Sequence, residues 1–197
     1  MGSGIQKTKI NDPVVRSTLI NSIRRDRNDA YVLEEFSVAR GKARADVVRV
    51  DNGEIHAYEI KSDVDNLLRL PSQAAHYSSV FTTVTLVVGI EHAVKALYLI
   101  PNWWGFVIAQ STPEGVLLNE IREAQTNTSI SYESVSDILS KEELVTFLGE
   151  HAPGQNYWKM SKPKLIDEAR ALTEKSSIIK AFPDLILNRN CQAPSNA

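Results

Sequence analysis

Asn52-Gly53, set between the runs Ala43–Val50 and Ile55–Ser62, is the strongest short hairpin signal in the chain, because both central residues of a type I′ turn need positive φ, which Asn and Gly tolerate. A two-residue loop also fixes the register. With Asp51 paired to Glu54, Asp46 lies opposite Glu59 and Arg44 opposite Lys61. Side chains alternate faces, so Asp46, Val48 and Val50 are expected to share a face with Ile55, Ala57, Glu59 and Lys61, while Val47, Arg49, His56, Tyr58 and Ile60 point the other way. The first face is apolar apart from its charged end. Two carboxylates opposed at about 5 Å between Cβ atoms repel one another, and beside an apolar layer they lose hydration. A divalent cation reverses the sign of that argument, since Mg²⁺ is held by one or two carboxylates and keeps waters and phosphate oxygens as its other ligands. Lys61 would reach the same spot, where its ammonium could stabilise charge on a phosphate oxygen or help to orient an attacking water. The plainer reading is an Asp46–Lys61 cross-strand ion pair with Glu59 in solvent, which leaves the clustering of three charges at one end of an apolar face unexplained.

Asp46 followed by Glu59-Ile60-Lys61 resembles the PD-(D/E)XK nuclease motif, in which an Asp on one strand and (D/E)-x-K on the next bind the metal. The wider set is Glu35-Phe36, Gly41, Arg44-Ala45-Asp46, Tyr58-Glu59-Ile60-Lys61-Ser62-Asp63, Asp65, Arg69-Leu70, Gln73, Tyr77 and Val80-Phe81. It is similar to the sce7726 family of bacterial proteins in that superfamily, from about residue 10 to about residue 110. Ala45 stands where many members carry the Pro of the superfamily's name. The resemblance implies a restriction-endonuclease-like mixed β-sheet core flanked by helices, and a Mg²⁺- or Mn²⁺-dependent nuclease acting on nucleic acid, DNA before RNA. In that reading Asp46 and Glu59, with the Ile60 carbonyl, hold the metal, Glu35 adds an upstream acid, Lys61 acts on the water or the scissile phosphate, and Gln73 orients the site. Arg44, beside the site on the same strand, and Tyr77 are expected to contact substrate. Gln73 and Tyr77 lie one helical turn apart on one face, and resemble a Q-x-x-x-Y element that supports the site in some of these nucleases. Strand parity leaves the upstream acid open, because Glu34 rather than Glu35 shares a face with Phe36 and Val38.

Composition agrees with a globular domain. The 197 residues, 43% of them hydrophobic, can bury a sizeable core with an appended segment. The longest apolar runs, Thr85–Ile90 and Ala96–Ile100, fall far short of the roughly 20 residues of a spanning helix, so no membrane association is expected. Met1-Gly2-Ser3-Gly4 has neither the basic start nor the apolar stretch of a signal peptide, and Gln6 breaks the myristoylation pattern. A single cysteine, Cys191, excludes an intrachain disulfide and fits a reducing cytoplasm. The net charge of −2 argues against a protein that coats nucleic acid nonspecifically, although Arg40-Gly41-Lys42-Ala43-Arg44 is a basic patch directly before Asp46. His56, His76, His92 and His151 lack a zinc spacing, and no P-loop, G-x-S-x-G or G-x-G-x-x-G is present.

The order of elements is α/β. Asn11-Asp12-Pro13 starts a helix with the stripe Val14, Val15, Leu19, Ile20 and Ile23, and Tyr31–Val38 reads as a strand ahead of the hairpin. Asn66–Phe81 reads as a helix interrupted near Pro71, Thr83–Val88 as a strand buried on both faces, Glu91–Ala96 as a short helix, and Trp104–Ala109 as a strand ending near the turn Thr112–Gly115. The expected organisation is a flexible stretch 1–10, a core 11–118, a helical C-terminal extension 119–190 and a disordered tail 191–197. Within the extension, Gln125–Ser131 reads as a linker, Ser140–Glu143 as a capping box, and Pro163 as the start of a second helix. Two readings stand beside the nuclease: a noncatalytic nucleic-acid-binding or interaction module on the same fold, and a defence component that needs a partner. A homodimer would be a natural way to cut both strands.

Overall fold

Asn11 caps the first helix by accepting the Val14 N–H at 3.4 Å, and with Pro13 in the first turn α1 runs Asp12–Asp26. Val15, Leu19, Ile20 and Ile23 are its buried stripe. The chain continues through β1 (Tyr31–Val38), a 3₁₀ turn (Ala39–Gly41), β2 (Ala43–Asp51) and β3 (Glu54–Lys61). Asn52 and Gly53 take φ of 49° and 73°, and the register from Asp51↔Glu54 to Val47↔Tyr58 is the one the two-residue turn dictates. There follow α2 (Leu70–Ser78), β4 (Thr83–Gly89), α3 (Ala93–Leu97), β5 (Gly105–Thr112) and β6 (Gly115–Arg122). Four helices complete the chain: α4 (Tyr132–Ile138), α5 (Lys141–His151), α6 (Lys162–Leu172) and α7 (Lys175–Cys191). This computed structural model describes residues 9–191, so the start of the stretch expected to be flexible and the tail from residue 192 lie outside the described residues.

One six-stranded sheet is formed in the order β1-β2-β3-β4-β5-β6. Pairing is parallel for β3–β4 and β4–β5 and antiparallel elsewhere, so the sheet is mixed. Strand β4, Thr-Val-Thr-Leu-Val-Val-Gly, is buried at every residue between two parallel neighbours, as its unbroken apolar run predicts. Two departures from the sequence reading have local causes. The helix expected from Asn66 begins at Leu70, because Asp65 and Asn66 side chains bond the Ser62 and Leu68 N–H groups and hold the preceding loop in turns; Pro71 sits in the first turn, where its missing N–H costs nothing. Residues 119–122, read as the start of helical text, complete β6 instead. As an edge strand β6 has one neighbour and exposes Leu117 and Ile121, so it shows no clean alternation.

The sheet carries a core on each face. Helix α1 covers one, packing its stripe with Val47, Tyr58, Ile60, Val87 and Val107. On the other face Val48, Val50, Val84 and Leu86 share a cluster with Leu70 and Tyr77 of α2 and with Val135, Leu144, Phe147, Leu148, Leu165 and Phe182 of the C-terminal helices. The segment expected to be a linker is fastened down: Asn127 Nδ2 donates to the Ser78 and Phe81 carbonyls at 2.7 and 3.0 Å. The capping box at α5 is closed, with Ser140 Oγ accepting from Glu143 N and Glu143 Oε2 from Ser140 N. No helix among the described residues is long and apolar enough to cross a membrane.

His56 on β3 is buried, stacked on Tyr58 at 4.3 Å, with Nε2 2.8 Å from Thr85 Oγ1. Burial, then the charges of Arg49 and Arg27, hold its pKa down at about 3, against an ordinary 6.5. The unfolded chain therefore binds a proton that the fold refuses, and the stability this contributes above pH 6.5 is lost as pH falls toward 3. His56→Gln is expected to flatten the acid side of the stability profile, removing up to about 4 kcal/mol of pH dependence. Denaturant unfolding of both proteins across the acid range measures it; parallel profiles would refute the assignment.

Candidate functional site

The site is built where two strands lose their pairing together. β1 and β2 pair from Tyr31↔Val50 to Glu34↔Val47 and again from Phe36↔Ala45 to Val38↔Ala43, skipping Glu35 and Asp46. Glu35 takes a φ of 57°, rare for a residue with a side chain. Leu33 and Phe36 pack on one core, as do Ala45 and Val48, which strict alternation forbids; both strands slip by one residue at the same place, so the register beyond is preserved. Asp46 thereby leaves the ladder, and the Ile60 N–H donates to its Oδ2 at 2.7 Å. The break also separates the two acids of β1. Glu35 accepts from Arg16 Nη1 at 2.6 Å and pairs with Arg44 Nε at 2.5 Å, whereas Glu34 approaches Arg16 only to 3.8 Å.

Glu59 lies on the next strand and is 1% exposed. Its Oε1 accepts from Lys61 Nζ and from Gln73 Nε2, the latter at 2.6 Å, and Tyr77 OH lies 2.6 Å from Oε2. The same hydroxyl is 2.7 Å from the Arg44 carbonyl, and its one proton can serve either acceptor. Asp46 is held in turn by Arg16, whose Nη2 donates to Oδ1 at 3.1 Å and whose Nη1 donates to the Asp46 carbonyl at 3.0 Å. Arg16 also binds Asp12 at 2.9 Å and so stands among three carboxylates. These groups open onto a polar groove of about 720 Å³, lined further by Lys42, Asp65, Arg69 and Ser72.

The expected residues are thus brought together, with changed parts. Lys61 pairs with Glu59, not with Asp46, and Glu59 is out of solvent. Tyr77, expected at the substrate, is fully buried and acts on Glu59 from behind. Arg44 is exposed at the rim, and Gln73 grips Glu59 from α2. Arg16 is the member the sequence reading missed. Its signal was a cation following the buried Val15 and four residues after Asp12, on a helix whose apolar stripe faces the sheet.

Burial raises the Asp46 pKa to about 7, assisted by the charge of Glu59 and opposed by the Ile60 N–H, Lys61 and Arg16. Tyr77 is pushed far above its ordinary range by burial and then by the neighbouring Glu59, so it stays a donor. For Arg16, burial lowers proton affinity, but its bonds to Asp12 and Glu35 and the charges of Asp12 and Asp46 outweigh that and hold it charged. The two carboxylates brought together in this way are each met by a protein cation, Asp46 by Arg16 and Glu59 by Lys61. Among the described residues no group of three or more His, Cys, Asp or Glu forms a metal cage. The donors that exist, Asp46, Glu59 and the Ile60 carbonyl, fit a hard, largely hydrated cation, and Gln73 Oε1 is buried without a partner, an acceptor suited to a water of its shell. Because the folded Asp46 pKa lies above the ordinary 3.8, the stability it contributes is fully present below that value and lost as pH rises to about 7. Comparing wild type with Asp46→Asn by denaturant unfolding, the difference should shift against wild type by up to about 4 kcal/mol from acid to neutral pH. A difference constant with pH would rule out the shift.

Comparison with known proteins redirects the reading. The family described as Bacteriophage P4 protein cII matches residues 5–194. Protein cII of Enterobacteria phage P4 is 30% identical over 124 residues, covering 63% of this chain and 47% of the relative. The chain therefore spans about half the length of the curated relative it matches. No solved structure matches the chain. These findings overturn the assignment to the sce7726 bacterial family of PD-(D/E)XK proteins, and with it the expectation of a metal-dependent nuclease or other hydrolase. The misleading pattern has a physical origin: residues two apart on a strand share a face, so an ion pair such as Glu59–Lys61 writes E-x-K whatever its use. By the match over nearly its whole length, this chain belongs to the bacteriophage P4 protein cII family.

Proposed function

We propose that this protein binds nucleic acid, DNA in the first instance, along the polar groove, and that a divalent cation, Mg²⁺ or Mn²⁺, held by Asp46, Glu59 and the Ile60 carbonyl switches the groove into its binding state. The observation that carries the reading is the charge arrangement: Arg16, Lys42, Arg44, Lys61 and Arg69 are interleaved with Asp12, Glu35, Asp46, Glu59 and Asp65. By formal charge the two sets cancel, so the groove alone offers a polyanion little. Neutralising the Asp46–Glu59 pair leaves the cations in excess, with the exposed Arg44, Lys42 and Arg69 placed to meet phosphates. In this reading the mixed sheet and its flanking helices form a restriction-endonuclease-like arrangement employed for binding, since a fold does not fix its use. A reducing, cytoplasmic setting suits a chain with one cysteine.

Fluorescence anisotropy with labelled single- and double-stranded DNA and RNA, in Mg²⁺ and in EDTA, tests the reading. Wild type should bind about tenfold tighter with Mg²⁺. Asp46→Asn, which removes one anion from the groove, should bind in EDTA more tightly than wild type and respond less to Mg²⁺. Affinity indifferent to the cation would remove the switch, and no binding to any of the probes would overturn the function.

A further inference from the structure

Lys42 lines two grooves at once: the carboxylate groove, and a second of about 430 Å³ bounded by the Ala39–Arg40 turn, His76 of α2 and Arg170 of α6. The two therefore adjoin at the 3₁₀ turn. We propose that the Ala39–Lys42 turn is a phosphate clamp, which leads one strand of the bound nucleic acid out of the carboxylate groove and across to Arg170 on the C-terminal helices. The inference rests on the nucleic-acid reading above and extends the binding track beyond the site.

The turn's conformation is the first support. Ala39, Arg40 and Gly41 are successive left-handed residues, at φ of 51°, 56° and 83°, and only the glycine adopts that region freely. The turn reverses the chain between the paired Val38 and Ala43, which calls for positive φ, and it buries no residue. What it achieves is to hold Arg40 82% exposed beside the C-terminal helices. Such outliers persist where the surroundings impose them, and they concentrate at ligand clamps. Arg40 offers the right chemistry. Its Nε contacts both Asp137 oxygens, at 2.9 and 3.0 Å, and its Nη groups make no hydrogen bond among the described residues, which leaves donors for a phosphate. Lys42, at the end of the turn, and Arg44, the second residue of β2, are both exposed, so two further cations follow Arg40 where the turn enters the strand. Charge favours the same ligand: Arg40, Lys42 and Arg170 face Glu133 and Asp137, leaving one net positive charge before His76 is counted.

The test is a salt titration of binding in Mg²⁺ for wild type, Arg40→Gln, Lys42→Gln and Asp137→Asn, with labelled single- and double-stranded DNA. Each of the first two should weaken binding and reduce the slope of log affinity against log salt by about 1, the signature of one lost phosphate contact. Asp137→Asn, which releases Arg40 and removes an acid, should tighten binding. A change that merely loosened the turn would not produce effects of opposite sign. Wild type that binds, with all three variants keeping its affinity and salt slope, would overturn the clamp and leave the groove reading standing. Wild type that binds neither probe would take both readings down together.

Discussion

Asp46 and Glu59 meet at the open end of the β2–β3 hairpin, partly or wholly out of water, and the surroundings are organised around their repulsion. Burial and the charge of Glu59 raise the Asp46 proton affinity, and each carboxylate is met by its own cation: Arg16 at Asp46, Lys61 at Glu59. Gln73 and Tyr77 complete the bonds to Glu59 from α2, and the Ile60 N–H completes those to Asp46. Removing one partner from such a buried arrangement leaves an uncompensated charge, which costs more than the pair contributes. Four separate elements, α1, β2, β3 and α2, must therefore dock together before the site is tolerable. The site is thus a test of the fold's closure.

The parts of this arrangement that could be read from the sequence are those set by local geometry. Asn52-Gly53 fixes the turn, the turn fixes the register, and the register brings Asp46 near Glu59 without reference to the rest of the chain. Glu35 could not be placed that way. Its position depends on a coincident slip in two strands, and alternation pointed to Glu34 as the residue sharing a face with Phe36. Arg16 was hidden for another reason. It reaches Asp46 from 30 residues away, and docking of α1 on the sheet, not any motif, delivers it. β6 escaped because an edge strand with exposed Leu117 and Ile121 has only one neighbour and little reason to alternate.

The family assignment failed although the residues that suggested it lie together in the fold. Strand alternation, a buried carboxylate and a neighbouring ammonium are demanded by physics wherever charged groups gather at a hairpin end, so the same residue types at the same spacings arise without common function. What separates one family from another is spread along the chain, and the match to the P4 cII family extends over residues 5–194, through the C-terminal helices that the motif reading never used. Those helices share the core of the sheet, with Leu144, Phe147 and Phe182 in one cluster with Val84 and Leu86. The family is accordingly defined by the whole packed unit, and its hairpin is only one part.

Arg16 sets the terms on which the groove can accept anything else. It is a counter-ion that cannot diffuse away, because its helix is anchored by Val15, Leu19, Ile20 and Ile23 against the sheet. Its bonds to Asp12 and Glu35 are made beside those to Asp46 and hold it in the groove from two further sides. The divalent cation proposed at Asp46 would have to compete with this tethered guanidinium, so its apparent affinity would be its intrinsic affinity reduced by the fraction of molecules in which Arg16 is disengaged. The competition also runs in reverse. Were a cation to neutralise Asp46, as proposed, Arg16 would lose part of its attraction to the strand and become one more positive group for an incoming phosphate. On the proposed function, cation and polyanion would then favour the same state of the groove, and by linkage each would raise the other's affinity by the same factor.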